Sequence, residues 1–328
     1  MKLGVTGTGM ISKEALPILR KLGMDIGVLC GTPRSADTVR ELCQQYGIPK
    51  GVSDFSELLA DSGIDTVYLA VPNSQHYPMT KRALEAGKHV ILEKPMTDNF
   101  RAASELAELA RARKLFLFEA VTTRLHPNFQ AIRDFLPEIG TLKLVQCNFS
   151  QYSSRYDAFA RGETPVSFDP AKSGGALMDL NLYNLHYIVG LFGKPLSITY
   201  LANVERGIDT SGVAMLDYGA FKAVSVAAKD SASPSRCVVQ GTKGYILQDT
   251  PANVCGAVTL CLNGGAEKFR NDFHGHRMEP EFEQYARAID ERDFAFRDAL
   301  LEQSLIVAGL LAEARKQAGI RFPSDETF

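Results

Sequence analysis

Short apolar runs alternate with amphipathic helical segments along the first third of the chain. The runs lie at 3–5, 26–29, 66–71, 90–92 and 115–118, and candidate helices separate them. Strands that alternate with helices form a parallel sheet, and the connecting helices cover both of its faces. The alternation therefore predicts an α/β fold over residues 1–120: a doubly wound parallel sheet of the Rossmann type.

The pattern changes after residue 120, where strand-like runs follow one another with little helix between them. These runs lie at 142–152, 196–204, 213–218, 223–228, 237–240, 245–247 and 258–262. Consecutive strands of this kind favour an antiparallel sheet. Helical patterns cover 176–192 and about 295–317. Residues 121–328 are thus predicted to form an α+β domain with a large, mainly antiparallel open sheet.

Charge and hydropathy exclude several classes of partner. The chain of 328 residues is long enough for two cores, and its net charge of -2 comes without a basic block. We therefore expect no nucleic acid and no membrane as partner. The apolar stretch 305–311 is far shorter than the ~20 residues of a bilayer crossing, so it predicts a packed helix.

Cysteine and histidine usage indicates neither disulfides nor a metal. The six cysteines are scattered without close pairs, which fits a cytoplasmic protein. Met1 leads directly into an apolar strand without the pattern of a secretion signal. His274 and His276 lack the further ligands that zinc requires, so we predict a polar loop there and no metal site.

The first turn of the predicted parallel sheet is rich in glycine. Gly7-Thr8-Gly9-Met10-Ile11 follows an apolar strand and precedes a helical pattern, with Ser12 where a third Gly or Ala is usual. Glycines in this context let the backbone approach a pyrophosphate at a helix N-terminus. We predict that these five residues bind a dinucleotide; the alternative is a tight strand-to-helix turn without a ligand.

The end of the second strand indicates which dinucleotide is bound. An Asp or Glu there accepts hydrogen bonds from the ribose of NAD, whereas an Arg accommodates the 2′-phosphate of NADP. This segment has no acid and offers Thr32, Arg34 and Ser35. The sequence therefore favours NADP(H), with NAD(H) as the alternative if Arg34 is only a solvated residue at a helix start.

Two later strand ends add candidates for the same sheet edge. Pro72, Asn73 and His76 follow one strand, although Asn73 is also a reasonable helix cap and His76 a residue that covers a helix start. Glu93-Lys94-Pro95 follows the next. Proline restricts the residue before it, so the Lys94 amine is aimed, and we expect Glu93 and Lys94 to pair with each other or with a ligand.

The chain resembles the Gfo/Idh/MocA family of NAD(P)-dependent oxidoreductases over nearly its whole length. The stretches that carry the resemblance are 7–9, 72–76, 83–90, 93–95 and 174–179. The resemblance implies action on sugars, cyclitols and related polyols or carbonyl compounds. It also implies that Lys94 binds both the cofactor ribose and the reacting oxygen.

The same resemblance implies two further catalytic residues, Asp179 and Tyr183. Their spacing of four places both on one face of a helix. Tyr183 stands where histidine is commoner, which is similar to the branch of dihydrodiol and anhydrofructose-type dehydrogenases. A tyrosine has an unperturbed pKa of about 10, so a nearby cation such as Lys94 is needed to make it a useful acid.

Alternatives exist for both residues and for the remaining substrate candidates. His186 could replace Tyr183 as the acid. Asp179 would accept a hydrogen bond from a substrate hydroxyl or orient Lys94, and its structural alternatives are to complement the helix dipole or to pair with an interface arginine. Arg124, His126 and Arg155 could bind polar substrate groups, although surface placement explains each of them equally well.

The predicted function is hydride transfer between nicotinamide C4 and a sugar-like carbonyl or hydroxyl carbon. We expect a homodimer, or a higher homo-oligomer, because the open sheet exposes a face that needs a cover. Two alternatives are a non-catalytic regulator that binds nucleotide or sugar, and a lyase or glycosidase that uses tightly held NAD transiently.

Overall fold

The computed structural model describes all 328 residues, which group into two compact units. Unit 1 comprises 1–97, 101–120 and 278–302, and unit 2 comprises 98–100, 121–277 and 303–328. The prediction assigned 278–302 to the second domain, whereas the structure packs this segment with the first. A helical pattern specifies a helix but not the sheet that the helix covers, so the sequence could not show this.

Unit 1 is built on a six-stranded parallel sheet in the order β3-β2-β1-β4-β5-β6. The strands are β1 (Lys2–Thr6), β2 (Asp25–Cys30), β3 (Lys50–Val52), β4 (Thr66–Leu69), β5 (His89–Glu93) and β6 (Leu117–Ala120). The helices are α1 (Met10–Lys21), α2 (Ala36–Tyr46), α3 (Phe55–Leu59), α4 (His76–Glu85) and α5 (Phe100–Ala112). The predicted Rossmann sheet is confirmed, although the short β3 was not predicted.

The strand order creates a crevice at one edge of this sheet. The chain runs outward from β1 through β2 to β3, crosses back to β4 beside β1, and then runs outward through β5 to β6 on the other side. The connections after β1 and β4 therefore leave in opposite directions. Ligands of doubly wound sheets bind at this switch point, at the carboxyl ends of the strands. The predicted cofactor residues all follow the carboxyl end of a strand or begin the next helix.

Unit 2 contains an eight-stranded sheet in the order β14-β13-β12-β11-β7-β10-β9-β8. The strands are β7 (Leu142–Ser150), β8 (Ser197–Glu205), β9 (Ile208–Asp217), β10 (Lys222–Ala228), β11 (Arg236–Gly241), β12 (Gly244–Gln248), β13 (Val258–Leu262) and β14 (Glu267–Arg270). All neighbours pair antiparallel except β7 and β10, which are parallel. The predicted mainly antiparallel sheet is confirmed, with β14 as an additional edge strand.

The remaining helices are α6 (Pro127–Phe135), α7 (Tyr156–Ala160), α8 (Leu182–Phe192), α9 (Glu279–Glu291) and α10 (Phe294–Gln317). A π-helical turn, Leu177–Asn181, leads directly into α8. One face of the sheet of unit 2 packs on a continuous apolar core that includes Phe129, Val145 and Leu182. None of the helices combines the length and the apolar character that a bilayer crossing demands.

The other face of this sheet carries large exposed apolar side chains. Leu201 pairs with Val213 across β8 and β9, and Met215 lies two residues further along β9. The same face continues through Tyr245 to Phe269 on the edge strand. Alternation along β9, with Ala214 and Leu216 buried, shows that the exposed residues share one face.

Candidate active site

The turn after β1 requires glycine at position 7 for two separate reasons. Gly7 has a φ of +109°, and a Cβ at this position would lie 2.1 Å from the carbonyl oxygen of Ala70. At Gly9, by contrast, a Cβ would meet nothing within 4 Å. Gly7 therefore lets two strand ends approach each other, whereas Gly9 leaves open space in front of α1.

The N-terminus of α1 is suited to an anion. Gly9 is its N-cap and no side chain accepts a hydrogen bond there, so the first N–H groups point into the open space. Met10 is exposed and Ile11 half-buried, while Ser12 is fully buried beneath the turn. The small Ser12 thus fills the position of the usual third glycine, and the turn fits a pyrophosphate.

Arg34 is exposed in the short helical turn that follows β2. The Thr32 N–H donates to Ser35 Oγ at 2.8 Å, and the Ser35 N–H donates to the Thr32 carbonyl at 2.9 Å. Thr32 and Ser35, both predicted cofactor residues, therefore close the turn. Arg34 is the positively charged residue within it. The end of β2 carries no acid of its own, although burial, together with the charges of Asp54 and Glu57, raises the pKa of the Cys30 thiol to about 11.

The segment that carries Lys94 is fixed on both sides of the lysine. Tyr68 donates its hydroxyl to Glu93 at 2.6 Å, and the Met96 N–H donates to Glu119 Oε1 at 2.8 Å. Lys94 itself is half-buried and is followed by a cis peptide bond to Pro95. Glu93 is buried, and its hydrogen bond with Tyr68 holds the end of β5. The sequence did not suggest Tyr68 as its partner.

His76 completes this arrangement from β4. Its Nδ1 lies 2.7 Å from the Pro95 carbonyl oxygen and its Nε2 lies 3.0 Å from that of Val71. The ring is fully buried. His76 thus braces the exits of β4 and β5. Asn73 lies in the short 3-10 turn after Pro72, and the residue at the N-cap of α4 is Gln75.

Asp179 and Tyr183 lie on either side of a change in helix type. Asp179 belongs to the π-helical turn and Tyr183 to the first turn of α8. A π-helical turn takes more residues than an α-helical one, so the helix changes pitch between these two residues. Single π-turns occur frequently at functional sites. Tyr183 is buried, and the side chain of Asp179 is 41% exposed.

Lys229 is a functional candidate that the sequence analysis missed. It follows β10 directly, and its Nζ lies 2.7 Å from Asp179 Oδ2. The sequence did contain a signal for Lys229: like Lys94, it is a lysine at the end of an apolar strand. No group of three or more His, Cys, Asp or Glu side chains is arranged to hold a metal ion.

The other substrate candidates differ in their exposure to solvent. Arg124 is buried and donates to Ser304 Oγ at 3.0 Å, and Arg155 is exposed at the start of α7. His186 is fully buried on α8. Surface placement, the alternative for Arg124 and His126, does not occur, because both are buried.

His126 caps α6. Its Nδ1 accepts a hydrogen bond from the Asn128 N–H at 3.2 Å, and the ring packs edge-on against Phe273. Burial lowers the pKa of His126 to about 4, so the ring stays neutral and keeps its acceptor at physiological pH. In this geometry His126 stabilises the start of α6.

Comparisons with known proteins identify relatives for both units. The profile of the GFO/IDH/MocA oxidoreductase family with an NAD-binding Rossmann fold matches residues 1–121, and the profile of the GFO/IDH/MocA C-terminal domain matches residues 129–247.

Two proteins are similar over the whole chain. The scyllo-inositol 2-dehydrogenase (NADP(+)) of Bacillus subtilis is 32% identical over 329 residues, which cover 99% of each chain. The trans-1,2-dihydrobenzene-1,2-diol dehydrogenase of Mus musculus is 27% identical over 341 residues, again 99% of each chain.

A solved structure shares the fold. The 3-ketoreductase KijD10 of Actinomadura kijaniata, crystallised with NADP and TDP-benzene, superimposes with a TM-score of 0.84 over 97% of both chains at 23% identity. A second, an oxidoreductase of Thermotoga maritima, covers 99% of both chains with a TM-score of 0.82 at 19% identity.

The capping role of His126 predicts acid-dependent stability. Its pKa is lowered on folding, so the unfolded chain binds the extra proton first and stability falls as the pH drops from about 6.5 to about 4. His126→Asn keeps a capping acceptor without a proton-binding ring. We expect the free energy of unfolding of the wild type to fall by up to about 3 kcal/mol relative to this variant over that range.

Urea denaturation at pH 7, 5.5 and 4 measures this difference. Parallel loss of stability in both proteins would show that His126 is not protonated on unfolding within this range.

Proposed function

This chain belongs to the GFO/IDH/MocA oxidoreductase family, and on that premise we propose that it transfers hydride between NADP(H) and a cyclic polyol or its ketone. The observation that carries the proposal is the presence of Lys94, Asp179 and Tyr183 on a chain that matches the family in both units. The names of two relatives describe ring compounds with neighbouring oxygen-bearing carbons, which supports this substrate class.

The residues after β1 and β2 would hold the cofactor. The open space at Gly9 and the uncapped start of α1 suit a pyrophosphate, and the exposed Arg34 suits a 2′-phosphate. NADP is also in the name of the Bacillus subtilis relative. NAD(H) is the alternative cofactor. The nicotinamide supplies or accepts the hydride when the cofactor is bound.

Lys94 would donate a hydrogen bond to the reacting oxygen of the substrate. The ammonium favours negative charge on that oxygen as the carbonyl is reduced, and it stabilises the alkoxide in the reverse direction. Because its neighbours Glu93, Pro95 and Met96 are fixed by hydrogen bonds, Lys94 has a preorganised origin. Such positioning is itself a large part of catalysis.

Tyr183 would exchange the proton with the same oxygen. In reduction the phenol gives its proton to the developing alkoxide, and in oxidation the phenolate takes it back. His186, the other acid considered, is wholly buried one turn further along α8. Tyr183 retains some exposure, which supports its choice. Asp179, with its half-exposed carboxylate, would accept a hydrogen bond from a second substrate hydroxyl.

The exposed face of the sheet of unit 2 would form a homodimer interface. Exposed apolar residues from β8, β9, β12 and β14 share this face, and contiguous apolar patches mark protein interaction sites. A two-fold dimer would cover the face with an identical one.

The six cysteines are all unpaired, which supports a cytoplasmic location.

The catalytic roles predict a specific pattern of losses. Lys94→Ala and Tyr183→Phe should each lower kcat by about 10²- to 10⁴-fold, the contribution of a positioned acid–base or polarising group, while NADPH still binds. The matched control is Tyr187→Phe on the same helix, because the buried Tyr187 hydroxyl has no hydrogen-bond partner.

NADPH absorbance with a panel of cyclic polyols and ketones measures turnover, and NADPH fluorescence measures binding. Normal turnover in Lys94→Ala would defeat the proposed mechanism. A dead His186→Ala variant beside an active Tyr183→Phe would transfer the acid role to His186. Tight NADPH and polyol binding without any turnover in the wild type would favour the regulator instead.

Cofactor preference should depend on Arg34. Loss of its contact with a 2′-phosphate predicts that Arg34→Ala raises the Kd for NADPH by about 10- to 100-fold, the factor expected for a lost charged hydrogen bond, and leaves the Kd for NADH unchanged. Arg40→Ala is the control, since Arg40 is exposed on α2 and pairs with Asp37. Equal changes for the two cofactors, measured by fluorescence titration, would reject the 2′-phosphate role.

The proposed interface predicts a change of mass. Met215→Glu places a charge within the apolar face and should convert a dimer into monomers, since a buried unpaired charge opposes association. Leu196→Glu is the control, because Leu196 is exposed but its side chain does not belong to this face. Analytical ultracentrifugation decides the matter: a wild type that sediments as a monomer rules the interface out.

A further inference from the structure

A buried lysine stands directly behind the half-exposed carboxylate of Asp179. Lys229 Nζ lies 2.7 Å from Asp179 Oδ2 and donates to the Ser167 carbonyl at 3.1 Å. The same nitrogen lies 4.8 Å from the centre of the Phe168 ring. The side chain of Lys229 is 3% exposed, against 41% for Asp179.

These contacts occupy the ammonium of Lys229. An ammonium has three N–H donors and no acceptor. The Asp179 carboxylate and the Ser167 carbonyl accept two of them, and the ring of Phe168 covers a further side of the charge. Lys229 is therefore not placed to bind a substrate itself. Any effect of Lys229 on a ligand passes through Asp179.

Packing alone does not account for a lysine at this position. Desolvation of an ammonium costs several kcal/mol, and apolar residues of similar size frequently replace buried ion pairs without loss of stability. A buried cation that contacts one half-exposed carboxylate serves instead to hold that carboxylate in one place.

The turn that carries Asp179 is held at two other positions by polar side chains from the sheet. Asp209 on β9 accepts hydrogen bonds from the Leu177 N–H at 2.6 Å and from the Tyr200 hydroxyl at 2.8 Å. Ser225 on β10 donates to Asn181 Oδ1. The first, third and fifth residues of the π-turn are thus each fixed by a polar contact, and the third contact is Lys229.

The charge of Lys229 also acts on Asp209. Burial raises the pKa of Asp209, and the hydrogen bonds from Tyr200 and Leu177 and the positive charge of Lys229 oppose this shift. One buried cation therefore influences two carboxylates, one that anchors the start of the turn and one that is offered to solvent.

We propose that Lys229 is a positioning residue for the substrate: it holds the Asp179 carboxylate in the orientation that receives a hydroxyl of the polyol. The proposal rests on the proposed function for the identity of that ligand. It adds a specificity element from β10, because only a substrate with a hydroxyl at the position set by Lys229 and Asp179 gains this hydrogen bond.

Steady-state kinetics of Lys229→Met separates this role from a general structural one. We expect the KM for the polyol to rise by about 10- to 100-fold, the factor for a lost hydrogen bond to a charged group, with little change in the KM for NADP+, the co-substrate of polyol oxidation. Lys268→Met is the matched control, since Lys268 forms an exposed pair with Glu138 on the edge of the same sheet. Equal increases in both KM values for Lys229→Met would overturn the positioning role.

A double-mutant cycle tests whether Lys229 acts through Asp179. In the Asp179→Asn background Lys229→Met should change the polyol KM less than twofold, because contacts in one network are not additive. Lys229→Arg keeps a cation with several donors and should restore most of the affinity for the polyol. Independent effects that multiply, or an arginine variant as impaired as the methionine variant, would contradict the proposal.

Crystallography provides a readout that needs no turnover. In Lys229→Met we expect the Asp179 side chain to leave its present rotamer; an unchanged Asp179 would refute the proposal. If Lys229→Met does not fold, Lys229→Gln is crystallised in its place with the same criterion. If the wild type oxidises no polyol, only the proposed function is wrong. The position of Asp179 in the crystal structure of the variant then still tests the role of Lys229.

Discussion

A chain that leaves the carboxyl end of a parallel strand must find new partners for its backbone polar groups. Within the sheet the neighbouring strands supply these partners, but beyond Glu93 the ladder ends. Here two buried side chains pair with the backbone beyond the strand, and a third fixes the last side chain of the strand. Tyr68 holds the side chain of Glu93, His76 contacts the Pro95 carbonyl, and Glu119 accepts the Met96 N–H. The direction in which Lys94 leaves the sheet depends on these contacts.

The π-turn of unit 2 solves a similar problem with similar means. A turn of this kind has an irregular hydrogen-bond ladder, and side chains from the sheet fix its alternate residues. Asp209 and Ser225 hold its two ends, and Lys229 holds the carboxylate in its middle. In both units, therefore, a side chain of the proposed site is carried by a short irregular segment that regular elements restrain. This is how a precise site is built without dependence on a mobile loop.

Buried polar residues account for much of what motif reasoning assigned to ligands. His76 and His126 were both candidates for ligand contacts; both ring nitrogens of His76 contact backbone carbonyls, and Nδ1 of His126 accepts a backbone N–H. A histidine near a functional motif is frequently there to shape the motif, because its two nitrogens can reach two backbone groups at once. Lys229 illustrates the reverse case, in which a residue far from any motif supports the proposed site.

The sequence by itself determined the two architectures and the start of the candidate site. Local periodicity identifies strands and helices, and the glycine requirement at Gly7 is a property of one turn, so both can be predicted from neighbouring residues. Lys94 could be predicted for the same reason, because a lysine between a buried strand and a proline is a local signal. Lys229, which follows β10, carries an equally local signal in the sequence. Its importance, however, follows only from its contact with Asp179 in the folded chain.

Only the tertiary structure decided which distant residues share an environment. Lys229 and Asp179 are 50 residues apart in the chain, and Glu119 lies 23 residues from Met96. The packing of residues 278–302 with unit 1 is likewise a matter of which sheet a helix covers. Periodicity specifies the buried face of an element but not its partner, since the free energy of burial is gained on any apolar surface of matching shape. Pairings between distant elements therefore emerge only when the chain is folded.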